Sequence, residues 1–377
     1  MNTTVEIREV SGKKALDTFI RVPWSIYKDD PNWVPPLLVE RKGALSPGHP
    51  YFKHASWQAW IAYRDGKPVG RISAQIDQLH QQRYNSQTGF FGLIEAPDDD
   101  DVFRALFETA ENWLREQGMQ QATGPFNLGI NQEIGVLVEG FDTPPYIMMG
   151  HSPSYYDAAI ERCGYQQAQD LLAYEIDNNT LTIPRVMQAL IKRSASRVNV
   201  RSLRHSEKKA ELEIMRDIFN DAWENNWNFV PFTQDEFNAV GKELLMLLPT
   251  DFIQIAEIDG QAASFVVLLP NINEAIADLN GRLLPFGWAK LLWRLKVSFP
   301  KTARVALMGV RKKYQNTRFG PALAYMVIKA AMDAGTAKGL ERAEMSWVLD
   351  HNHATRNIIE SIGGEITKRY RMYEKDL

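Results

Sequence analysis

Residues 303–321 read ARVALMGVRKKYQNTRFGP. The apolar run Val305–Val310 is typical of a buried strand, and three basic residues follow it directly at 311–313. Gly320 and Pro321 predict a helix start, because the first helical turn tolerates a residue without an amide proton. A loop that enters a helix in this way leaves amides free, and these attract anions together with the helix dipole. The segment therefore predicts a phosphate site between a strand and a helix.

The elements around this segment occur in the same order twice along the chain. Asp65-Gly66 and Asp259-Gly260 each separate two apolar runs, which is typical of a tight hairpin. Each half reads strand, helices, hairpin, strand, helix, strand, helix and strand. The second half is predicted to contain strands at Val198–Leu203, Phe252–Ile258, Ala262–Leu269, Ala303–Val310, Ala343–Val348 and Glu365–Tyr373, and helices at Lys208–Glu224, Gln234–Leu247, Gly320–Ala334 and His353–Ile362.

A chain of 377 residues fits two domains of ordinary size. The repeated order predicts an α/β protein with domains at 1–177 and 198–377. The polar stretch 178–197 is the predicted linker.

Composition and charge exclude several classes of protein. The one cysteine, Cys163, excludes a disulfide framework within the chain. The first ten residues lack the pattern of a signal peptide, and no apolar run reaches 18 residues. We therefore expect a cytoplasmic protein without a membrane partner. A net charge of −3 predicts no nucleic-acid partner, although residues 301–377 carry 14 Lys+Arg against 8 Asp+Glu.

The segment 315–320 resembles motif A of the GNAT superfamily of acyl-CoA-dependent N-acyltransferases. The match lies at Gln315 and Gly320, whereas Arg318 stands where the family usually has glycine. Residues 344–354 are similar to GNAT strand 5 and the start of helix 4. The first half is similar to a second such domain, and residues 27–36 resemble uncharacterised bacterial tandem-GNAT proteins.

This resemblance implies a mixed sheet in each of two tandem domains, splayed between strands 4 and 5. It also implies an acyl-CoA co-substrate, either acetyl-CoA or a longer acyl-CoA, and no metal. The residues implied to hold the carrier are Met308, Val310, Gln315, Asn316, Thr317, Arg318, Phe319, Gly320, Pro321 and Asn352. In the first half, the aspartates at 98–101 would repel a pyrophosphate, so we expect that half not to bind the carrier.

Candidate catalytic residues follow from what N-acyl transfer requires, namely a base for the amine and a proton donor for the thiolate. Glu344 is the candidate base. The GNAT tyrosine of helix 4 has no equivalent within 355–359, so Tyr373, or alternatively Tyr370, is the candidate donor. The candidate residues of the acceptor pocket are Trp223, Trp227, Phe229 and Trp347. The histidines at 205, 351 and 353 lack the spacing of a metal site.

The predicted function is acyl transfer from acyl-CoA to an unidentified small-molecule or peptidic amine. Two alternatives stay open from the sequence. One is a degenerate GNAT-fold binding or regulatory module, which the missing tyrosine and Arg318 favour. The other is a relative of the Fem-type aminoacyl transferases, which also have two such halves. The sequence makes no prediction about oligomeric state.

Overall fold

The protein divides into two compact units. The computed structural model describes residues 4–317 and 319–377. Arg318, predicted above to contact the carrier, lies outside them. The first unit comprises the chain up to Leu171 together with Ile276–Trp288 and Lys368–Leu377, and the second comprises Leu172–Ala275 and Ala289–Thr367.

Strands and helices alternate along the described chain. The strands are β1 (Glu6–Glu9), β2 (Ala55–Arg64), β3 (Lys67–Asp77), β4 (Thr88–Glu95), β5 (Gln121–Gly124), β6 (Phe126–Asn127), β7 (Glu133–Ile134), β8 (Val136–Glu139), β9 (Gln166–Asp177), β10 (Val198–Ser202), β11 (Ile253–Ile258), β12 (Gln261–Pro270), β13 (Thr302–Val310), β14 (Arg342–Leu349) and β15 (Glu365–Asp376). The helices are α1 (Gly12–Arg21), α2 (Pro23–Ile26), α3 (Leu38–Ala44), α4 (Gln78–Tyr84), α5 (Asp100–Glu116), α6 (Tyr156–Arg162), α7 (Arg185–Ser194), α8 (Lys208–Trp223), α9 (Gln234–Leu247), α10 (Ile272–Ile276), α11 (Gly287–Lys296), α12 (Lys312–Gln315), α13 (Phe319–Ala337) and α14 (His353–Ser361).

The first unit is a mixed sheet with the order β1-β2-β3-β4-β5. Its β2–β3 hairpin turns at Asp65 and Gly66, whose φ angles of 51° and 73° match a tight hairpin turn. Strands β4 and β5 are parallel. The end of β15 extends the sheet, because Tyr373 pairs antiparallel with Gly124 of β5. The apolar face of α5, including Phe103 and Leu106, is buried in the core of this unit.

The second unit repeats the arrangement with the order β10-β11-β12-β13-β14. Neighbouring strands are antiparallel as far as β13, and β13 and β14 are parallel. Helix α13 is apolar around most of its surface and is buried against the sheet. Its Leu323 and Val327 belong to the same core cluster as Val305 and Met345 of the parallel pair. This packing fixes the start of α13 beside the end of β13.

The boundaries of the units differ from the predicted domains. Residues 368–377 belong to the first unit because this part of β15 pairs with β5. The predicted linker contains α7, whose Met187 and Ile191 pack on the core of the second unit. The stretch 178–197 is therefore an integral part of that unit.

The predicted elements are otherwise present, with a few local differences. In the first half, the helical stretch after β1 is divided into α1 and α2, since Pro23 cannot donate the helical hydrogen bond. Residues 271–301, for which no element was predicted, contain α10 and α11.

Gly92→Ala is expected to destabilise the first unit. A Cβ at Gly92 would lie 1.8 Å from the carbonyl oxygen of Phe126, which is backbone and cannot rotate away. Overpacking of this kind lowers the free energy of unfolding by about 3 kcal/mol or more. Urea denaturation measures the loss. The control is Gly43→Ala in α3, where no atom lies within 4 Å of the added methyl group, and an equal loss there would contradict the explanation.

Candidate functional site

The parallel pair β13–β14 opens part of the way along its length. Its register runs from Thr302 opposite Arg342 to Val305 opposite Met345. Within the described residues no further pair joins the two strands, although β13 continues to Val310 and β14 to Leu349. Strand β13 stays paired with β12 as far as Val310. The sheet is thus splayed on the carboxyl side of Val305, where ligands of α/β sheets commonly bind.

A β-bulge at Ala306 accompanies this opening. Leu307 lies opposite Val267 and Val305 lies opposite Leu268, so Ala306 is an extra residue on β13. The extra residue reverses the alternation of side chains. Val305 and Met308 both pack with the core cluster of α13. A Cβ at Gly309 would instead lie 3.2 Å from Ile218 of α8, on the other face of the sheet.

A buried charged cluster lies at the closed end of the opening. Arg304 and Glu344 are opposite each other in the register, and their side chains are 2% and 0% exposed. Arg304 Nε donates to Ser346 Oγ at 2.8 Å, and Ser346 Oγ donates to Glu344 Oε1 at 2.6 Å. The Arg304 guanidinium also lies 5.0 Å from the ring centre of Trp347. Two buried ions stabilise each other here, because either one alone would be costly to desolvate.

This cluster places two predicted site residues together. Glu344, the candidate base, is engaged with Arg304 and Ser346, and Trp347 is half-buried beside them. The sequence analysis did not identify Arg304. The sequence feature that could have revealed Arg304 is an arginine within an otherwise apolar strand. Its counter-ion, Glu344, lies 40 residues further along the chain.

The turn between β13 and α13 is more helical than predicted. Helix α12 occupies Lys312–Gln315, and the amides of Tyr314, Thr317 and Gly320 each donate to a backbone oxygen three residues earlier. The amide of Lys312 donates to Asp221 Oδ2 at 2.7 Å, and that of Phe319 donates to Thr317 Oγ1 at 3.1 Å. The expectation of free amides is therefore wrong for these five residues, because backbone oxygens accept from three of the amides and side-chain oxygens accept from those of Lys312 and Phe319.

Gly320 itself has a steric role. A Cβ there would lie 2.5 Å from the oxygen of Gln315 and 2.7 Å from that of Tyr314. The backbone of α12 and that of α13 can therefore approach closely only with glycine at this position. Asn316 and Thr317 are exposed in the same turn, and Pro321 lies in the first turn of α13.

The backbone of β13 that was predicted to pair with the carrier already has partners. Trp223 Nε1 donates to the oxygen of Met308 at 2.8 Å, and Gln315 Nε2 donates to that of Val310 at 2.8 Å. A carbonyl oxygen has two lone pairs, so each retains the capacity to accept a second hydrogen bond.

A pocket of about 470 Å³ lies where β13 ends. This volume is within the usual range for small-molecule sites. The pocket carries two cations and one carboxylate among the side chains that line it, which are Ile214, Asp221, Gln261, Ala262, Arg311 and Lys313.

The remaining candidate residues have local structural contacts. Asn352 caps α14, since its Oδ1 accepts a hydrogen bond from the Thr355 amide at 3.1 Å. Trp223 stacks on Phe219 at 5.1 Å, and the buried Phe229 lies in the same aromatic cluster. Trp227 is half-buried beyond the end of α8.

Tyr373 lies in the first unit, whereas Glu344 lies in the second. The hydroxyl of Tyr373 donates to Asp157 Oδ1 at 2.6 Å. Burial, and then this hydrogen bond, raise the pKa of Tyr373 well above its usual value. A phenol with a raised pKa is a poor proton donor at neutral pH. The alternative donor, Tyr370, is fully buried and also belongs to the first unit.

The corresponding opening in the first unit is filled. Strands β4 and β5 are paired only over Thr88–Phe90 among the described residues, while β4 continues to Glu95. The following strand, β6, contacts the free part of β4, and Asn127 Oδ1 accepts a hydrogen bond from the Leu93 amide at 2.8 Å. Asp99 caps α5 through the amides of Asp101 and Val102. These contacts fill the space that corresponds to the cleft of the second unit, and the absence of carrier binding in the first unit stays a prediction.

A buried carboxylate ends β4 in the first unit. Tyr27 and Tyr156 both donate to Glu95 Oε2, at 2.8 and 2.9 Å, and Arg71 lies 3.4 Å from Oε1. Burial raises the pKa of Glu95 above its usual value, and Arg71 opposes this effect. The sequence analysis missed the cluster because its members are separated by up to 129 positions and share no motif.

Neither a cluster of side chains suited to a metal ion nor a membrane-spanning helix occurs in the described part of the chain. In residues 4–317 and 319–377, no group of three His, Cys, Asp or Glu side chains is arranged to hold a metal ion. Over the same residues, none of the helices combines the length and the apolarity needed to cross a membrane.

The fold is shared with solved structures. The tandem GNAT protein from the clavulanic acid biosynthesis pathway superposes with a TM-score of 0.57 over 99% of this chain and 98% of that chain, at 11% identity. No family model matches the chain. Two copies of a mixed sheet, each with a parallel pair followed by a helix, give this chain the same fold as that tandem GNAT protein.

Two proteins are similar to this one over nearly the whole chain. Protein YghO of Escherichia coli strain K12 is 50% identical over 371 residues, which cover 98% of this chain and 95% of that protein. Bacterial ceramide synthase of Caulobacter vibrioides is 48% identical over 379 residues, which cover all of this chain and 98% of that protein. The chain belongs to the family that contains these two proteins.

Arg304→Met is expected to lower the free energy of unfolding by about 3–5 kcal/mol, because it leaves Glu344 buried without its counter-ion. The double variant Arg304→Met/Glu344→Leu should recover part of this loss, since both charges are removed together. Urea denaturation of the two single variants and the double variant measures the coupling. Strictly additive losses would show that the two side chains do not stabilise each other.

Glu95→Gln is expected to change how stability depends on pH. Because its pKa is raised in the folded state, Glu95 holds its proton more tightly there than in the unfolded chain. The free energy of unfolding should therefore fall as pH rises from about 4.3, the usual glutamate value, to the raised pKa.

Urea denaturation at a series of pH values tests this expectation, and the Glu95→Gln variant should show a flatter decline than the unsubstituted protein. Glu116→Gln, at an exposed position in α5, is the control and should leave the profile unchanged. An identical decline in the Glu95→Gln variant would show that another group causes it.

Proposed function

We propose that the protein is an acyl-CoA-dependent N-acyltransferase whose second unit binds the carrier. The observation that carries this proposal is the splay of β13 and β14 beyond Val305, directly before the start of α13. The splay leaves a cleft between the two strands, which are not paired with each other beyond Val305. Extended amide groups of a pantetheine arm can lie in such a cleft and pair with the strand backbone.

The charges of the turn that follows β13 agree with a diphosphate ligand. Arg311 and Lys313 line the pocket at the end of β13. Because five amides of the turn already have partners, these side chains, rather than a ring of free amides, are expected to attract the phosphates. The residues proposed to surround the diphosphate are the exposed Asn316 and Thr317, with the start of α13 behind them.

The reaction that fits this site is direct transfer. The amine nitrogen attacks the thioester carbonyl, a proton leaves the nitrogen, and the thiol departs with a proton. Glu344 lies at the closed end of the cleft and is the proposed proton acceptor, acting through Ser346, which donates to it. Arg304 holds that carboxylate in place. Tyr373 is not part of this scheme, since it belongs to the first unit.

The relative in Caulobacter vibrioides indicates the class of substrate. Its name describes a ceramide synthase, and a ceramide is an amide of a fatty acid with a long-chain amino alcohol. At 48% identity over the full length, we propose the same type of product for this protein. The acyl donor would then be a long-chain acyl-CoA rather than acetyl-CoA, and the acceptor a long-chain amino alcohol.

One observation favours a second candidate function. Trp223 and Gln315 occupy backbone oxygens of β13 that an acyl carrier would use. A unit that retains the fold without turnover would tolerate such contacts, so a non-catalytic ligand-binding module is the alternative. Product formation separates it from the enzyme.

The proposed enzyme should form an amide from palmitoyl-CoA and sphinganine, detected by mass spectrometry, and form it faster than from acetyl-CoA. Lys313→Glu should raise KM for the acyl-CoA about tenfold, because it reverses a charge beside the diphosphate, with little change in kcat. Lys338→Glu makes the same change of charge at the other end of α13 and is the control.

Each outcome of this assay has a defined meaning. Binding of acyl-CoA in calorimetry without any product would favour the binding module. Normal KM in the Lys313→Glu variant would remove the pocket at the end of β13 from the carrier site. Absence of both binding and product would contradict the proposal as a whole.

A further inference from the structure

The chain between residues 282 and 297 exposes many large apolar side chains. It contains six of the ten large hydrophobic side chains that are exposed in the described part of the protein. Their exposed fractions lie between 47% and 79%, and they are Leu284, Phe286, Trp288, Leu292, Trp293 and Val297. We call residues 282–297 the amphipathic segment. Such a concentration within one short stretch usually marks a binding surface.

Helix α11, which forms most of this segment, has no buried residue. Leu291, Arg294 and Leu295 are half-buried and lie three to four positions apart, so they form one stripe of the helix. Arg294 anchors that stripe by donating from Nη1 to the oxygen of Ala275 at 2.7 Å. Leu292 and Trp293 lie on the opposite side of the helix and face solvent. The helix is thus held along one stripe and presents apolar side chains outward.

The segment is also strongly basic. It carries Arg282, Lys290, Arg294 and Lys296, and no acidic residue occurs in the chain between Asp278 and Asp333. Cations interspersed with tryptophan and leucine on a short helix are the features of helices that lie in a membrane interface. Tryptophan favours the headgroup region, and each nearby cation is attracted by anionic lipids.

We propose that the amphipathic segment docks on the surface of a bilayer that contains anionic lipids. Helix α11 has ten residues and would lie along the interface, with Leu292 and Trp293 among the upper acyl chains and Lys296 at the headgroups. This inference rests on exposure and charge, and does not depend on the proposed acyltransferase activity. It concerns attachment to one face of a membrane, which is distinct from crossing it.

The charges of the segment argue against two other occupants. In a symmetric dimer the same patch would face itself, and its cations would approach each other without any carboxylate in the segment to offset them. The core of a protein interface is depleted in lysine, whereas here Lys290 and Lys296 are interspersed with the apolar residues. An anionic lipid surface attracts the positive charge of the segment and can also accommodate its exposed apolar side chains.

Vesicle flotation tests the proposal. The unsubstituted protein should float with vesicles of phosphatidylglycerol and phosphatidylcholine in equal parts, remain behind with phosphatidylcholine alone, and be released by salt. The variant Leu292→Ser/Trp293→Ser should bind at least about tenfold more weakly, because it removes the inserted apolar groups. The variant Arg282→Glu/Lys296→Glu should also bind at least about tenfold more weakly, because it reverses two charges at the surface.

Matched controls separate these effects from general loss of structure or charge. Val186→Ser removes an apolar group of α7 that is more exposed than Leu292 and Trp293, and Lys13→Glu/Lys14→Glu makes the same change of net charge in α1. Both controls should float as the unsubstituted protein does. Circular dichroism shows whether each variant is folded.

Three results would overturn the proposal. The first is failure of the unsubstituted protein to float with the anionic vesicles. The second is equal flotation with phosphatidylcholine alone. The third is a dimer in size-exclusion chromatography that the Leu292→Ser/Trp293→Ser variant disrupts while vesicle binding is unchanged, because the segment would then be covered by a second copy of the chain.

Discussion

The site of the second unit depends on one extra residue, Ala306. Strand β13 remains hydrogen-bonded to β12 along its whole length, so it cannot bend to follow β14. The bulge at Ala306 shifts its twist and its side-chain alternation just where the pairing with β14 ends at Val305. Because β13 stays paired with its antiparallel neighbour β12, it separates from its parallel neighbour β14, and the cleft lies between β13 and β14. The basic turn and α13 lie at the mouth of this cleft because they follow β13 directly.

The two units have the same order of elements but differ in the space beside their parallel pair of strands. In the first unit, β6 occupies the space beside β4, and Gly92 permits a contact that no side chain would allow. In the second unit the corresponding space is open, and its closed end holds the Arg304–Glu344 pair. Both units bury a carboxylate at the parallel pair, but Glu95 is shielded by two tyrosine hydroxyls whereas Glu344 adjoins the cleft. In the first unit, contacts with β6 therefore fill the space that is open in the second.

Much of the fold could be predicted from the sequence, because period-2 and period-3.6 patterns and Asp-Gly turns are local signals. Helix α9 was predicted at its observed bounds, and the β2–β3 and β11–β12 hairpins were located by their turns. That residues 368–377 belong to the first unit could not be predicted, because the sequence pattern of a strand does not specify which strand it pairs with. Helix α11 was missed because apolar residues lie on its outer face as well as on its packed stripe, which hides the one-sided pattern of a helix that packs on a core.

The site was harder to predict than the fold. The segment 315–320 was correctly located next to a strand and a helix. No motif, however, indicates the helical turn α12 or the hydrogen bonds that occupy the amides of Thr317, Phe319 and Gly320. Arg304 and Glu344 meet only because two parallel strands align, and such alignment depends on packing rather than on spacing. Likewise, Tyr27, Glu95 and Tyr156 come together through the fold of the first unit alone.

The membership of β15 in the first unit has a consequence for biosynthesis. Tyr373 is buried in the core of that unit, and β5 needs the end of β15 as its antiparallel neighbour. Strand β5 is synthesised more than 240 residues before this neighbour. The sheet of the first unit therefore cannot be completed until residues 373–376 have been made, contrary to the usual order in which the first domain folds first. Until then, the edge of β5 is exposed and needs protection from pairing with other chains.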